Sequence, residues 1–305
     1  MNYATKKTLN IGGCLVLTAM LLGACEKVTI DDNEPITVKA MGNLTLNVTT
    51  EGITPFATRA GESYWTRLNF VVYQNGVKVA GVNQAAGDTD YGHASIDLTP
   101  GNYQVLVLAH SSSSNPTLTN PEKLQFTNAM GFTDTFYYYD GITVTDEAQT
   151  HNIRLERATA MLRFTINDEM PSGISYLRFY YTGGSGALNA RTGLGCVDSK
   201  QTVNIDVDET ASRPYVFELY TIPKEQQATL SLTVTAYGAD GVEVVKERTI
   251  KNINIERNKI TELEGSFFTE SPNNDNSDDP PSQTSSDTFV ITADTEWGGV
   301  IKQSY

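Results

Sequence analysis

Residues 229–236 read Thr-Leu-Ser-Leu-Thr-Val-Thr-Ala, a strict alternation of polar and apolar side chains. Successive side chains of a β-strand point to opposite faces, so this alternation predicts a strand with one buried face. The same period occurs near the beginning of the chain, where Leu44, Leu46 and Val48 alternate with polar residues. No long amphipathic helical pattern competes with these strands. The sequence therefore predicts an all-β fold of the sandwich type.

A turn flanked by two apolar stretches lies at residues 96–107, with Pro100-Gly101 at its centre. Proline sets φ at one turn position and glycine tolerates positive φ at the next, so the segment predicts a hairpin. Residues 203–208 and 214–220 repeat this arrangement more weakly. The repeat predicts two tandem sandwich domains, 60–156 and 157–268, with a seam near Glu156.

The first 25 residues have the organisation of a bacterial lipoprotein signal. Lys6 and Lys7 precede an apolar run over residues 11–20, and the small residues Gly23 and Ala24 precede Cys25. The apolar run is shorter than the ~20 residues that span a bilayer, which favours a cleaved signal peptide over residues 1–24. Cys25 would then carry the lipid that anchors the chain to a membrane. A plain secretory signal is the alternative, which keeps export and loses the anchor.

Charge and cysteine content limit the function further. The chain has 22 basic and 36 acidic residues, for a net charge of −14, which argues against nucleic acid as a partner. Of three cysteines, Cys14 leaves with the signal and Cys25 is the predicted lipid site, so Cys196 remains and no internal disulfide is expected.

Residues 25–59 combine an acidic tether with the first strand. Acidic side chains follow the lipid site closely and resemble the signal that sends Bacteroidales lipoproteins to the cell surface, although a solvated tether has the same composition. These residues are Glu26, Asp31, Asp32 and Glu34.

The C-terminal tail differs in composition from the rest. Residues 269–287 are rich in Asn, Asp, Ser and Pro and nearly devoid of apolar side chains, which predicts a disordered linker. Residues 288–305 follow it with a short strand pattern, in which Phe289, Ile291 and Ala293 share one face.

Catalytic motifs are missing from the sequence. His93, His110 and His151 have no zinc-type spacing, and Cys196 has no base beside it in sequence. The glycine-rich residues 183–186 lack the lysine of a phosphate-binding loop and predict a hairpin loop instead. We therefore expect no enzyme activity, no metal and no cofactor other than the lipid on Cys25.

Several short segments together resemble the fimbrillins, which are subunits and anchors of type V pili in Bacteroidales. They are the Cys25 lipobox and residues 44–50, 56–60, 98–103, 157–160 and 256–263. The resemblance implies two tandem transthyretin-like Greek-key sandwiches, a lipoprotein on the outer membrane surface and a role in a fimbrium that mediates adhesion.

The resemblance also implies how subunits would join. In polymer-forming members an arginine-specific protease removes the first strand, and a strand from a neighbouring subunit fills the groove. In this chain the matching cleavage site lies between Arg59 and Ala60, and the donor residues would be Phe289, Ile291 and Ala293. Two alternatives remain open, since Arg59 could be an ordinary loop residue and the last strand could be an edge of its own domain.

A surface glycan-binding lipoprotein is the alternative function. Exposed aromatic rings would serve as platforms for sugars, although at least one ring of residues 137–139 must point into the core. The candidates are Trp65, Tyr137, Tyr138, Tyr139, Tyr180, Tyr181 and Trp297.

Overall fold

The computed structural model describes residues 43–49, 65–208, 210–269 and 300–301, all in the unit Ala40–Tyr305. Strands dominate these residues, and one short 3-10 helix, Asn128–Met130, interrupts them. The all-β prediction is therefore confirmed. No helix in these ranges is long and apolar enough to cross a membrane.

Nine strands make up the first half of the described chain. They are β1 (Leu44–Thr49), β2 (Arg67–Gln74), β3 (Val77–Ala85), β4 (His93–Ile96), β5 (Gly101–His110), β6 (Leu124–Gln125), β7 (Phe136–Val144), β8 (Gln149–Arg154) and β9 (Glu156–Arg157). A small sheet has the order β4-β1-β8, and a larger one has the order β3-β2-β5-β7-β9.

Ten strands follow in the second half. They are β10 (Ala160–Ile166), β11 (Ile174–Ser185), β12 (Ala187–Asn189), β13 (Leu194–Gly195), β14 (Asp198–Asp206), β15 (Tyr215–Thr221), β16 (Gln227–Gly238), β17 (Val244–Glu256), β18 (Ile260–Gly265) and β19 (Val300–Ile301). Their sheets have the orders β15-β10-β18-β19 and β14-β11-β16-β17, and β6 joins β12 and β13 in a small third sheet.

The two halves repeat one strand arrangement. In each half the first strand lies between two others, one antiparallel and one parallel to it. β1 pairs antiparallel with β4 and parallel with β8, and β10 pairs antiparallel with β15 and parallel with β18. The order β3-β2-β5-β7 in the first half likewise matches β14-β11-β16-β17 in the second. This match makes β1 the counterpart of β10.

Each half has its own hydrophobic core between its two sheets. Leu46, Phe70 and Val105 are among the buried side chains of the first core, and Leu162, Phe179 and Leu232 are among those of the second. A third cluster covers the other face of the β2-β5-β7 sheet and includes side chains from both halves. Because both faces of that sheet are covered, β5 is buried almost continuously rather than alternately.

The prediction of a hairpin at residues 96–107 is wrong, because the two strands do not pair with each other. β4 and β5 are consecutive, but they lie in different sheets, so residues 97–100 cross from one sheet to the other. The hydroxyl of Tyr103 donates to the carbonyl of Thr99 at 2.8 Å and holds this crossing together. In the second half the equivalent crossing lies between β15 and β16, one strand later than predicted.

The glycine-rich residues 183–186 do not form the predicted hairpin loop. Gly183 and Gly184 lie at the end of β11, where the register with β14 shifts. Gly183 has a φ of 101°, and a Cβ there would collide with the carbonyl oxygen of Thr229. The glycines therefore allow a β-bulge in β11 and a close approach between neighbouring strands.

Candidate strand-exchange groove

Strand β1 fills a slot between β4 and β8. It pairs antiparallel with β4 from Leu44 to Asn47 and parallel with β8 from Leu44 to Thr49. Both neighbours therefore depend on β1 for their backbone hydrogen bonds along the slot. Because β1 is the middle strand, its removal would leave two unpaired strand edges facing each other.

The inward side chains of β1 fill the bottom of this slot. Leu44 and Leu46 are fully buried in the first core, and Val48 packs against that core while partly exposed. A strand that replaced β1 would need apolar side chains at alternate positions, because only those point inward. We define the strand-exchange groove as the slot occupied by Leu44, Leu46 and Val48 between β4 and β8.

Asn43 fixes the beginning of β1. Its side-chain oxygen accepts a hydrogen bond from the Leu98 amide at 2.9 Å, and its amide nitrogen donates to the carbonyls of Leu98 at 2.7 Å and Thr145 at 3.1 Å. Asn43 also uses its own carbonyl to accept from the Gln149 amide at 2.9 Å. One asparagine thus ties β1 to the residues that flank both neighbouring strands.

A second asparagine connects the middle of β1 to both neighbours. The Asn47 side chain contacts His93 Nδ1 on β4 at 2.9 Å and donates to Asn152 Oδ1 on β8 at 3.3 Å. All three groups lie on the exposed side of the sheet. These contacts are exposed hydrogen bonds, which contribute only modestly to stability.

The counterpart strand β10 is held by charges instead. Arg163 contacts Glu218 on β15 at 3.2 Å and Glu262 on β18 at 2.8 Å. Five side chains of β10 are also buried, namely Ala160, Met161, Leu162, Phe164 and Ile166. Two halves of the same topology therefore hold their first strand differently, and β1 buries two side chains where β10 buries five.

A family match covers most of the chain, from residue 36 to residue 301, and the matching family is described as a family of unknown function, DUF6562. The chain belongs to the DUF6562 family. No curated protein matches its sequence significantly. The matched range of this DUF6562 member includes the strand-exchange groove and both cores.

Solved structures from Bacteroidales are similar to this DUF6562 member at low sequence identity. One is a candidate adhesin from Bacteroides ovatus, with 14% identity and a TM-score of 0.46 over 76% of this chain and 88% of that chain. Another is the fimbrial anchor protein Mfa2 from Porphyromonas gingivalis, with 12% identity and a TM-score of 0.39 over 67% and 80%. A fimbrial assembly protein from Parabacteroides distasonis has 14% identity and a TM-score of 0.38 over 73% and 90%. Overlaps of this size transfer no residue roles to this chain.

The predicted site residues of the DUF6562 member lie outside the described ranges. These are the lipid site Cys25, the cleavage site Arg59 and Ala60, and the donor residues Phe289, Ile291 and Ala293. Arg59 belongs to residues 50–64, which connect β1 to the residues before β2. Part of the predicted C-terminal strand is described, since Val300 and Ile301 pair in parallel with β18 of the same chain.

A polar cluster that no sequence motif predicts lies between the two halves, where residues 157–160 and 256–263 meet. Arg157 is 8% exposed and donates to the Asp134 carboxylate at 2.9 and 3.0 Å and to Asn258 at 3.0 Å. Thr159 donates to the same carboxylate at 2.9 Å, and the guanidinium of Arg157 lies 4.5 Å from the centre of the Phe136 ring. This cluster places Arg157, Thr159 and Asn258, from residues 157–160 and 256–263, in structural contacts between the two halves.

Burial divides the aromatic residues that were predicted as sugar platforms. Trp297 lies outside the described ranges, and Tyr180 is exposed. The remaining five are buried or half-buried, namely Trp65, Tyr137, Tyr138, Tyr139 and Tyr181. Of the predicted platforms that lie within the described residues, Tyr180 alone is exposed.

The described residues include one free cysteine, Cys196. Cys196 is exposed overall. The part of the residue that is buried raises the pKa of the thiol, and the nearby charge of Lys123 lowers it by less. A raised pKa disfavours the thiolate, so this thiol is not activated as a nucleophile. In the described ranges no three His, Cys, Asp or Glu side chains are grouped to hold a metal ion.

Proposed function

We propose that this protein is a structural subunit of a cell-surface fimbrium, joined to other subunits by strand exchange at the β1 groove. The observation that carries the proposal is the position of β1, which closes the first sandwich from between β4 and β8. An incoming strand could restore both the backbone hydrogen bonds and the buried side chains that β1 supplies.

The connection after β1 supports removal of the strand. Arg59 lies ten residues beyond the end of β1 at Thr49 and eight residues before β2 begins at Arg67. A cut after Arg59 would separate β1 from the rest of the chain without breaking a described strand. The strand would then be held only by its non-covalent contacts.

The tail has the pattern that the groove requires. Phe289, Ile291 and Ala293 are apolar residues at alternate positions, as Leu44, Leu46 and Val48 are, although Val290 between them is also apolar. In donation these three side chains would enter the pockets of a neighbour, and the short pairing of Val300–Ile301 with β18 would be given up. Within the described residues that pairing consists of Val300 opposite Ile260 and Ile301 opposite Thr261.

The N-terminal sequence supports a location on the outer membrane. A lipid on Cys25 would hold the unprocessed chain at the surface, and cleavage after Arg59 would release the sandwiches from that lipid. We propose that uncleaved copies anchor the fimbrium and that cleaved copies extend it. In this role the protein needs no catalytic group.

Native cells that produce variants of the full chain provide the test. Wild-type protein should begin at Ala60 in surface fibres and should form ladders of polymers on gels run without boiling. Arg59→Ala should leave the lipid attached and abolish the ladders, while Arg191→Ala, a change at an exposed arginine elsewhere, should alter neither. Deletion of residues 288–305 should also abolish the ladders. Ladders that persist in Arg59→Ala and in the deletion would contradict the proposal.

A further inference from the structure

A groove of about 320 Å³ lies on the outer face of the β14-β11-β16-β17 sheet. Leu177, Phe179 and Tyr181 of β11 point into the second core. Side chains therefore alternate, and Arg178 and Tyr180 stand on the outer face. The groove is lined by Arg178, Tyr180, Thr202, Thr233, Thr235 and Glu247.

Hydroxyl groups from two strands flank the aromatic ring in this groove. Tyr180 lies opposite Thr202 on β14 and Thr233 on β16. The hydroxyls of Thr233 and Thr249 are 2.8 Å apart, so this row of polar groups continues onto β17. The groove thus presents donors and acceptors on both sides of one ring.

A guanidinium and a carboxylate occupy the next row. Arg178 lies opposite Thr235, and the Thr235 hydroxyl donates to Glu247 at 2.9 Å. The Arg178 guanidinium lies 4.9 Å from the centre of the Tyr237 ring, and Tyr237 stacks on Tyr176 at 4.6 Å. Stacking of this kind orients a guanidinium plane and leaves its edge donors available.

The charge of Arg178 is not neutralised by an ion pair with any carboxylate of the described residues, unlike that of Arg157 or Arg163. A half-buried arginine with available donors, beside an exposed tyrosine ring, fits a ligand that offers both oxygen atoms and an apolar face. A sugar ring has both features.

We propose that this groove binds a neutral saccharide. One face of the sugar ring packs on Tyr180, and adjacent sugar hydroxyls accept from Arg178 and donate to Glu247. The groove has one positive and one negative side chain, Arg178 and Glu247, so it offers no net positive charge to the carboxylate of an acidic sugar, and the whole chain carries a net charge of −14. The site is separate from the strand-exchange groove, which lies in the first half of the chain.

An array of immobilised oligosaccharides tests the proposal with the full mature chain. One set of probes carries neutral hexoses and N-acetylhexosamines, and a second set carries uronic and sialic acids. We expect binding to neutral probes, at least a tenfold loss of affinity in Tyr180→Ala, and a comparable loss in Arg178→Gln. Tyr180→Phe should retain most of the affinity, because it keeps the ring.

Matched controls separate the site from general effects. Val216→Ala removes an exposed apolar side chain from the other sheet, and Arg191→Gln removes an exposed charge, so both should bind like the wild type. Circular dichroism should show that every variant melts like the wild type. The proposal is overturned if no neutral probe binds, if only acidic probes bind, or if Tyr180→Ala and Arg178→Gln bind normally.

Discussion

Replacement of Leu46 by alanine tests whether β1 closes the first sandwich. Leu46 is fully buried and belongs to the core that also contains Trp65. The change removes three carbon atoms from a site enclosed by β1, its two neighbours and the facing sheet. Buried Leu→Ala changes of this kind cost about 2–5 kcal/mol, and we expect about 3 kcal/mol here.

The assay is urea unfolding followed by tryptophan fluorescence. In a Trp297→Phe background, Trp65 becomes the single tryptophan and reports on the core that contains Leu46. Thr45→Ala is the matched control, since its hydroxyl makes only an exposed contact with Ser95 at 3.4 Å. We expect the control to change stability by less than about 0.5 kcal/mol. If Leu46→Ala behaves like Thr45→Ala, β1 does not fill a core site and the reasoning is refuted.

Three further predictions concern pH and the lipid. Burial is the larger cause and the charge of Arg67 the smaller cause that lower the pKa of His110 to about 4. The unfolded state therefore binds one more proton than the folded state between pH ~6.5 and ~4. Stability should therefore fall by up to about 3 kcal/mol as pH drops through that range, and urea melts of His110→Gln should lack this slope. Burial raises the pKa of Asp168, but its hydrogen bonds from Phe267, Phe268 and Thr269 outweigh that effect and lower it. Its contribution is present above the unfolded pKa and lost as pH falls through the folded one, so Asp168→Asn should cost about 1–3 kcal/mol at neutral pH and progressively less as the pH falls through the folded pKa. Cys25→Ala should abolish labelling by a clickable palmitate and shift the precursor out of the membrane fraction, and equal labelling of both forms would rule out the lipid site.

Local periodicity was enough to predict that the fold is all-β. The alternation of Leu44, Leu46 and Val48 correctly indicates the inward face of β1, on which Leu44 and Leu46 are buried and Val48 packs against the core while partly exposed. It does not say which strands lie beside β1, because pairing depends on contacts between residues far apart in the chain. For the same reason the Pro100-Gly101 turn predicted a hairpin, although the strands on its two sides belong to different sheets.

The contacts between the two halves could not be predicted from local sequence for the same reason. Arg157 and Asp134 are 23 residues apart, and Asn258 is 101 residues from Arg157. No local spacing rule links these three side chains. The groove beside Tyr180 depends equally on register, since Tyr180, Thr202 and Glu247 come from three different strands.

Exchange of β1 in the folded protein is the most direct test of the central claim. The full chain is cut once after Arg59 and incubated with a fluorescent peptide of residues 42–50. A tethered strand competes with added peptide at a high effective concentration, so only the cut chain should take up the label.

A peptide with Leu46→Asp should fail to bind, because it places a charge in an apolar pocket. An unlabelled peptide of residues 286–297, which carries Phe289, Ile291 and Ala293, should compete with the label. The account predicts labelling of the cut chain alone and displacement by the tail peptide. A cut chain that keeps its own β1 and takes up neither peptide would contradict it.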